Sequence, residues 1–350
     1  MPFSITPHQM KKLLVIRFSA MGDVAMTVPV IHSLASQHPE LRITVMTRGR
    51  FAPMFQWTPA NVEVMPVELE NYSGIFGLGR LYSELKKKKY DAVADLHDVL
   101  RTKYLRLRFK MSGTKVAVID KGRKEKKALL GNGLTAEPLK LTTERYKEVF
   151  QQLGYDFTLD YKQAFNPLAE NFSMVNSAVG VKPEGAKWVG IAPFAAHEGK
   201  IYPLEQMKIV AENFAKQGCK VLLFGAGKKE SAILQSWEGE NITSTCGLIG
   251  GLYNEMLLMS RLDLMIAMDS ANMHIASLVG TPVLSVWGAT HPKAGFTGWG
   301  QTADRNVQLD LPCRPCSVYG NKPCQFGDFR CLSGITPELI VEKGLRIINN

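Results

Sequence analysis

The chain has 350 residues, 45% of them apolar, and a formal net charge of +10. That is enough apolar material for two cores, and at this length two domains are the expectation. No run of about 18 apolar residues occurs to cross a bilayer, and Met1–Met10 carries no basic segment leading into an apolar one. A membrane-spanning or exported protein is disfavoured, and the reading is cytoplasmic, with peripheral contact at the inner face of the cytoplasmic membrane left open.

Along the chain, short β-rich apolar runs alternate with helical patterns, the signature of parallel sheets with crossover helices. The first half offers strands at Leu13–Arg17, Ile43–Met46, Val62–Val67, Ala92–Leu96 and Val116–Ile119. Strand one runs into Arg17-Phe18-Ser19-Ala20-Met21-Gly22-Asp23, a short turn carrying one glycine where a dinucleotide fingerprint needs three. Asp23 is either a charge partner at a helix start or an acceptor of a proton from a bound hydroxyl. Strand four ends at His97, Asp98 and Arg101, which are expected to line the same edge.

Charge is placed unevenly in this half. Residues 1–165 hold 26 Lys/Arg against 16 Asp/Glu, whereas residues 166–350 hold 16 of each. Arg80–Lys127 alone carries 16 basic and 6 acidic residues, among them Lys103, Arg106 and Arg108. Such a field suits an anionic partner on one lobe, although part of it is a solvated helix face.

Residues 166–187 lack a β-rich run, contain Pro167, Gly180, Pro183 and Gly185, and read as a linker between a 1–165 lobe and a 188–350 lobe. The second lobe repeats the pattern, with strands at Val189–Ala192, Val221–Phe224, Ile242–Thr245, Leu264–Met268 and Val283–Trp287. Three of its strands end in suggestive loops. Ala192–Lys200 brings Lys200 ahead of a helix start near Pro203, a place suited to a diphosphate. Phe224-Gly225-Ala226-Gly227-Lys228-Lys229-Glu230 lets backbone approach a ligand and offers Glu230 to ribose hydroxyls. Ala267–Ala276 opens a helix with Asp269, Ser270 and, further on, His274. Asp269 reads as an N-cap and His274 as a core histidine when each is taken alone. Two α/β lobes of this kind imply an interdomain cleft with ligands at the strands' C-terminal ends.

Together these segments resemble glycosyltransferase family 9, the bacterial lipopolysaccharide heptosyltransferases. The resemblance runs from about Lys11 to the C-terminus. It rests on Ser19–Val24 with Pro29, Lys200-x-x-Pro203, Gly225–Glu230, Asp269-Ser270 with His274, and Gly280-Thr281-Pro282 through Trp287-Gly288-x-Thr290-x-Pro292. It implies a GT-B fold of two facing Rossmann-like lobes, with acceptor on the first and donor on the second, and a C-terminal helix able to pack back on the N-terminal lobe. It also implies inverting, metal-independent transfer of a heptose-type sugar from an ADP-sugar to a lipopolysaccharide core or related glycolipid. In that reading Asp23 matches the family's base, Lys200 its diphosphate lysine, Glu230 its ribose contact, and Asp269 and His274 its donor-binding pair. Gly225, Gly227 and Ser270 complete the donor site, and His97, Asp98, Arg101, Lys103 and Arg106 the acceptor side. Ala195 and Ala196 stand where some members have two threonines, and Trp287 where others have another apolar residue, which is expected to reshape the donor pocket.

The residues themselves are consistent with that chemistry. A base and cationic stabilisation of a leaving diphosphate are what inverting transfer needs, and no Asp-x-Asp pair stands at a strand end to hold a metal. No cofactor is expected beyond the nucleotide-sugar substrate. A nucleotide-sugar epimerase or hydrolase of the same architecture is the first alternative. A non-enzymatic nucleic-acid-binding protein is the second, weakened by sparse aromatics in the basic stretch (Tyr90, Tyr104 and Phe109), so no nucleic-acid partner is expected. Cys313, Cys316, Cys324 and Cys331 form a cluster read as reduced and structural, with zinc as the alternative. Cys219 and Cys246 read as core residues.

Overall fold

The computed structural model describes residues 11–162, 165 and 169–349. Its chain divides into two compact units, residues 1–121 with 142–164 and residues 122–141 with 165–350. The second crossing, between residues 164 and 165, lies at the expected end of the first lobe, whereas the described part of the expected linker, residues 169–187, is counted in the second unit, and residues 166–168 lie outside the described residues.

The first unit is a five-stranded parallel sheet in the order β3-β2-β1-β4-β5. Its strands are β1 (Lys11–Ile16), β2 (Leu41–Thr47), β3 (Val62–Pro66), β4 (Ala92–Asp95) and β5 (Lys115–Val118), each within two residues of its expected bounds. Its helices are α1 (Met21–Ala25), α2 (Thr27–Gln37), α3 (Gly74–Lys87) and α4 (Leu100–Met111), with α6 (Thr142–Gln152) returning after the excursion to the other unit. Burial explains the β-rich runs: Leu13, Leu14, Val15 and Ile16 are all fully buried, as a central parallel strand covered on both faces requires. Leu14, Ile16, Phe18, Leu81, Leu85, Leu105 and Phe109 share one apolar cluster that seats α3 and α4 on the sheet.

The second unit is a six-stranded parallel sheet in the order β11-β10-β9-β6-β7-β8. It comprises β6 (Trp188–Ala192), β7 (Lys220–Leu223), β8 (Ile242–Ser244), β9 (Leu264–Met268), β10 (Val283–Val286) and β11 (Asn306–Val307). The two-residue β11 is too short to leave a sequence pattern. Its helices are α5 (Arg123–Asn132), α7 (Ser173–Val179), α8 (Leu204–Lys216), α9 (Gly227–Gln235), α10 (Leu252–Met259), α11 (Ala271–Leu278), α12 (Arg330–Ser333) and α13 (Pro337–Asn349).

Three features differ from the expectations. Residues 122–141, counted with the first lobe, pack in the second unit, where Leu129 and Ala136 bury against Ala294, beside Leu139 and Phe296. The basic stretch is therefore shared: the first unit holds 21 Lys/Arg against 14 Asp/Glu and the second 21 against 18. The segment read as a linker contains α7, whose Val175 and Val179 are buried and which packs on α10. The C-terminal helix α13 has its own place in the second unit. Ile340, Val341 and Ile348 join the second unit's own core, and α13 packs on α8 and β9. Both sheets have the strand order of a doubly wound fold, with a switch point between β1 and β4 in one and between β6 and β9 in the other.

Candidate functional site

At the first switch point, β1 and β4 deliver two loops side by side. Arg17 leaves β1 almost fully buried and is held on several sides. Its Nη2 pairs with Asp23 Oδ2 at 2.6 Å, its Nη1 donates to the Leu96 carbonyl at 2.6 Å, and its guanidinium lies over the Tyr146 ring. Asp23 Oδ2 also accepts the Ala20 N–H at 3.1 Å, and the Tyr146 hydroxyl donates to the Asp23 carbonyl. The carboxylate is thus both a helix-start partner and fixed in position, with its side chain still about a third exposed. Arg17, which the sequence reading did not single out, is the residue that ties the Asp23 turn to the β4 loop.

That second loop is organised by Asp95, fully buried at the end of β4. Its Oδ1 accepts the N–H groups of His97 and Asp98, both at 2.9 Å, and its Oδ2 takes Arg106 Nη1 at 2.9 Å. Arg106 also reaches Asp98 Oδ1 at 3.1 Å. Arg106, expected on the acceptor side, is thus paired with two of the protein's own carboxylates and holds the loop that carries His97 and Asp98. Burial presses the Asp98 carboxyl upward, but the Arg106 hydrogen bond and the charges of Arg106, Lys103 and Lys121 outweigh it and lower its pKa.

Burial, reinforced by Arg17 and Lys121, pushes the His97 pKa down to about 3, so the ring is neutral at physiological pH. Its Nδ1 accepts the Phe18 N–H at 3.5 Å, which places the ring proton on Nε2, 3.3 Å from Ser19 Oγ. A cavity of about 540 Å³ opens here, lined by Phe18, Ser19, Arg48, Leu69 and residues 97–101 with Lys103. His97, Asp98, Arg101 and Lys103 line it together, whereas Arg106 and Asp23 do not. Phe18, Arg48 and Leu69 are additions that arrive from distant parts of the chain.

In the second unit, β6, β9 and β10 end at one edge. Lys200 sits in a tight turn after β6, and its Nζ pairs with Asp269 Oδ2 at 3.0 Å, both side chains largely buried. Lys200 was placed beside the start of α8; the charge is instead aimed at the head of α11. Nor is Asp269 the N-cap: Ser270 is, in extended conformation and without a side-chain cap bond. The Ser270 hydroxyl is buried with no protein hydrogen-bond partner, as is that of Thr290. His274 is buried on the first turns of α11.

After β7, Gly227 has φ +77° and Glu230 Oε2 folds back to accept the Ala226 N–H at 2.7 Å. A Cβ on Gly225 would meet Leu234 at 2.8 Å, so this turn is close-packed as well as permissive. Trp287, expected in the donor pocket, is fully buried with its indole N–H on Ser285 Oγ at 2.8 Å. The β10 loop is clamped by Arg314, which is fully buried and donates to the carbonyls of Gly288 (2.5 Å), Thr290 (2.9 Å) and Leu309. Arg314 lies between Cys313 and Cys316. Among the described residues no three His, Cys, Asp or Glu side chains are grouped to hold a metal ion, and all six cysteines are free of disulfides. Buried Cys331 packs in the core.

The sequence pattern of glycosyltransferase family 9 (heptosyltransferase) matches residues 78–325, about seven-tenths of the chain. The chain belongs to that family. Among curated family 9 relatives, lipopolysaccharide heptosyltransferase 1 of Pseudomonas aeruginosa is 25% identical over 322 residues, 87% of this chain and 86% of its own length. The solved family 9 glycosyl transferase from Veillonella parvula superposes with a TM-score of 0.73 at 20% identity, covering 97% of both chains. E. coli ADP-heptose lps heptosyltransferase II gives 0.69 at 20% identity, covering 97% of this chain and 98% of its own. These two likenesses carry the fold: two parallel-sheet α/β lobes of GT-B type. A family 9 member of this kind is a glycosyltransferase, and among the described residues no helix is long and apolar enough to cross a membrane.

Proposed function

We propose that this chain moves a heptose-type sugar from an ADP-sugar to an anionic lipopolysaccharide-core or related glycolipid acceptor, with inversion and without a metal. The names of its relatives point to lipopolysaccharide as acceptor and to ADP-heptose as donor. The observation that carries the reading in this chain is the division of labour between its two switch points. One presents an oriented carboxylate, Asp23, near a cavity edged by Arg101 and Lys103. The other presents Lys200 at the head of α11, beside a buried, unpartnered Ser270 hydroxyl.

In the reaction, the acceptor hydroxyl oxygen forms a bond to the anomeric carbon from the face opposite the diphosphate. The bond from that carbon to the phosphate oxygen breaks, and its electron pair leaves with ADP. Asp23 takes the acceptor proton. Lys200 and the free N–H groups opening α11 carry the charge that develops on the departing diphosphate, so protein cations supply the stabilisation a metal would otherwise give.

Asp23→Asn is the test. Proton transfer by a positioned base contributes about a hundred- to ten-thousand-fold, so turnover should fall by at least about a hundredfold while ADP affinity stays. The Arg17 pair makes some stability loss inevitable, about 1.5–3 kcal/mol, so turnover is read on protein shown to be folded. Near-normal turnover in a folded variant would remove Asp23 as the base. Consumption of ADP-sugar with no acceptor present, at the rate seen with one, would favour an epimerase or hydrolase instead.

A further inference from the structure

The solvent face of α4 is built the wrong way round for a water-facing helix. Its buried side is Thr102, Leu105 and Phe109. Diametrically opposite stand Leu100, Leu107 and Met111, exposed by 84%, 56% and 77%. At 100° per residue these three fall within about 40° of arc, an apolar ridge roughly 16 Å long with Tyr104 beside it at the intervening turn. Arg101 and Arg108 flank it on one side and Lys103 and Lys110 on the other, all exposed, and the helix has no acidic residue. The neighbouring α3, which packs on α4, adds Ile75 and Phe76 at its first turn, Phe76 being 92% exposed. Scattered single exposed apolar residues need no explanation, but an aligned set flanked by one sign of charge does.

We infer that the α4 ridge, with Phe76, is a docking surface for an anionic lipid bilayer. Charge decides the occupant. A second copy meeting this face would set Arg101, Lys103, Arg108 and Lys110 against the same four cations. A nucleic acid would satisfy the cations and leave the leucines and methionine in water. An anionic bilayer takes both: apolar side chains enter the headgroup–acyl boundary while Lys and Arg remain among the lipid phosphates. The surface also has a functional position. Leu100, the first residue of the ridge, lines the cavity beside His97 and Lys103, so a docked α4 would open that cavity at the lipid surface, where a glycolipid keeps its headgroup. This rests on the proposed acceptor class only for its purpose, and the binding itself is tested without any acceptor.

The experiment is co-sedimentation with vesicles of phosphatidylglycerol and phosphatidylethanolamine, and with phosphatidylcholine vesicles as the neutral control. The full chain should partition to the anionic vesicles and hardly to the neutral ones, and rising ionic strength should weaken it. The triple variant Phe76→Ser/Leu107→Gln/Met111→Gln, all at exposed positions, should lose about tenfold or more in partitioning. Its melting temperature, its ADP affinity and its turnover of a delipidated, water-soluble acceptor should stay at wild-type values. Equal partitioning by the triple variant, or none by the wild type, overturns the proposal. So does a wild-type dimer in sedimentation velocity that the triple variant dissolves, because the ridge would then belong to a second copy. A failed Asp23→Asn test leaves these outcomes untouched.

Discussion

His97 shows what burial does to one ionisable side chain. It sits on the Asp95-anchored loop with its ring against Phe18, close to two cations, and its pKa falls from an unfolded value near 6.5 to about 3. Between those values the unfolded chain binds a proton that the native chain refuses, so native stability is intact above about pH 6.5 and declines as the pH drops toward 3. The slope from this one group is at most about 1.4 kcal/mol per pH unit. His97→Asn keeps a polar atom near the Phe18 N–H and removes the titration, so its denaturant-derived stability should fall less steeply between pH 6.5 and 4 than that of the wild type. His291, pushed down to about 4 by burial and then by Arg314 and Lys293, leaves a parallel slope in both proteins. Identical pH profiles would show that His97 is not held neutral by its surroundings.

Much of the site was legible at the scale of strands, because a central parallel strand must be continuously apolar and its C-terminal loop must then carry the chemistry. Leu264–Met268 followed by Asp269-Ser270 is such a case, and the strand bounds match the structure. What sequence could not supply was partnership. Lys200 and Asp269 are 69 positions apart, and only the adjacency of β6 and β9 brings them together. Arg106 looked like another member of a basic surface until its buried partner Asp95 was seen. Leu100, Leu107 and Met111 have the spacing of a core stripe, and nothing in the letters says that Leu105 and Phe109 take that role. Residues 122–141 follow the first lobe in sequence but pack against Ala294, because their apolar residues find a partner there.

Loop packing at the donor edge carries its own prediction. A Cβ on Gly320 (φ +76°) would overlap the Lys200 stem, so position 320 must stay free of a side chain for Lys200 to reach Asp269. Lys200→Ala should weaken ADP binding by about 1.5–3 kcal/mol, the range for a hydrogen bond to a charged group. Gly320→Ala should weaken it by part of that, through displacement of the lysine. Calorimetry on the double variant decides the route. If Gly320 acts through Lys200, the double variant binds ADP no more weakly than Lys200→Ala alone. Additive losses would mean that the turn touches the nucleotide by another path.

For the whole molecule, the division into two units predicts that charge acts on one substrate and not on the other. The first unit carries the larger excess, and at its cavity Arg101 and Lys103 face solvent while Arg106 is taken up by Asp95 and Asp98. The variant that tests acceptor attraction must therefore spare Arg106, whose loss would release the His97 loop and confuse folding with binding. Arg101→Gln/Lys103→Gln should raise the acceptor KM several-fold to about tenfold at low ionic strength, and the difference from wild type should shrink as salt is added. The donor KM should stay constant, because Lys200 and the head of α11 belong to the other sheet. Turnover at saturating acceptor should also hold, since neither side chain touches Asp23 or Arg17. A matched rise in both KM values would mean that the basic edge supports the fold or the donor. A KM effect that salt leaves unchanged would mean that these side chains act by shape and short hydrogen bonds, and the long-range reading of the first unit's charge would fail.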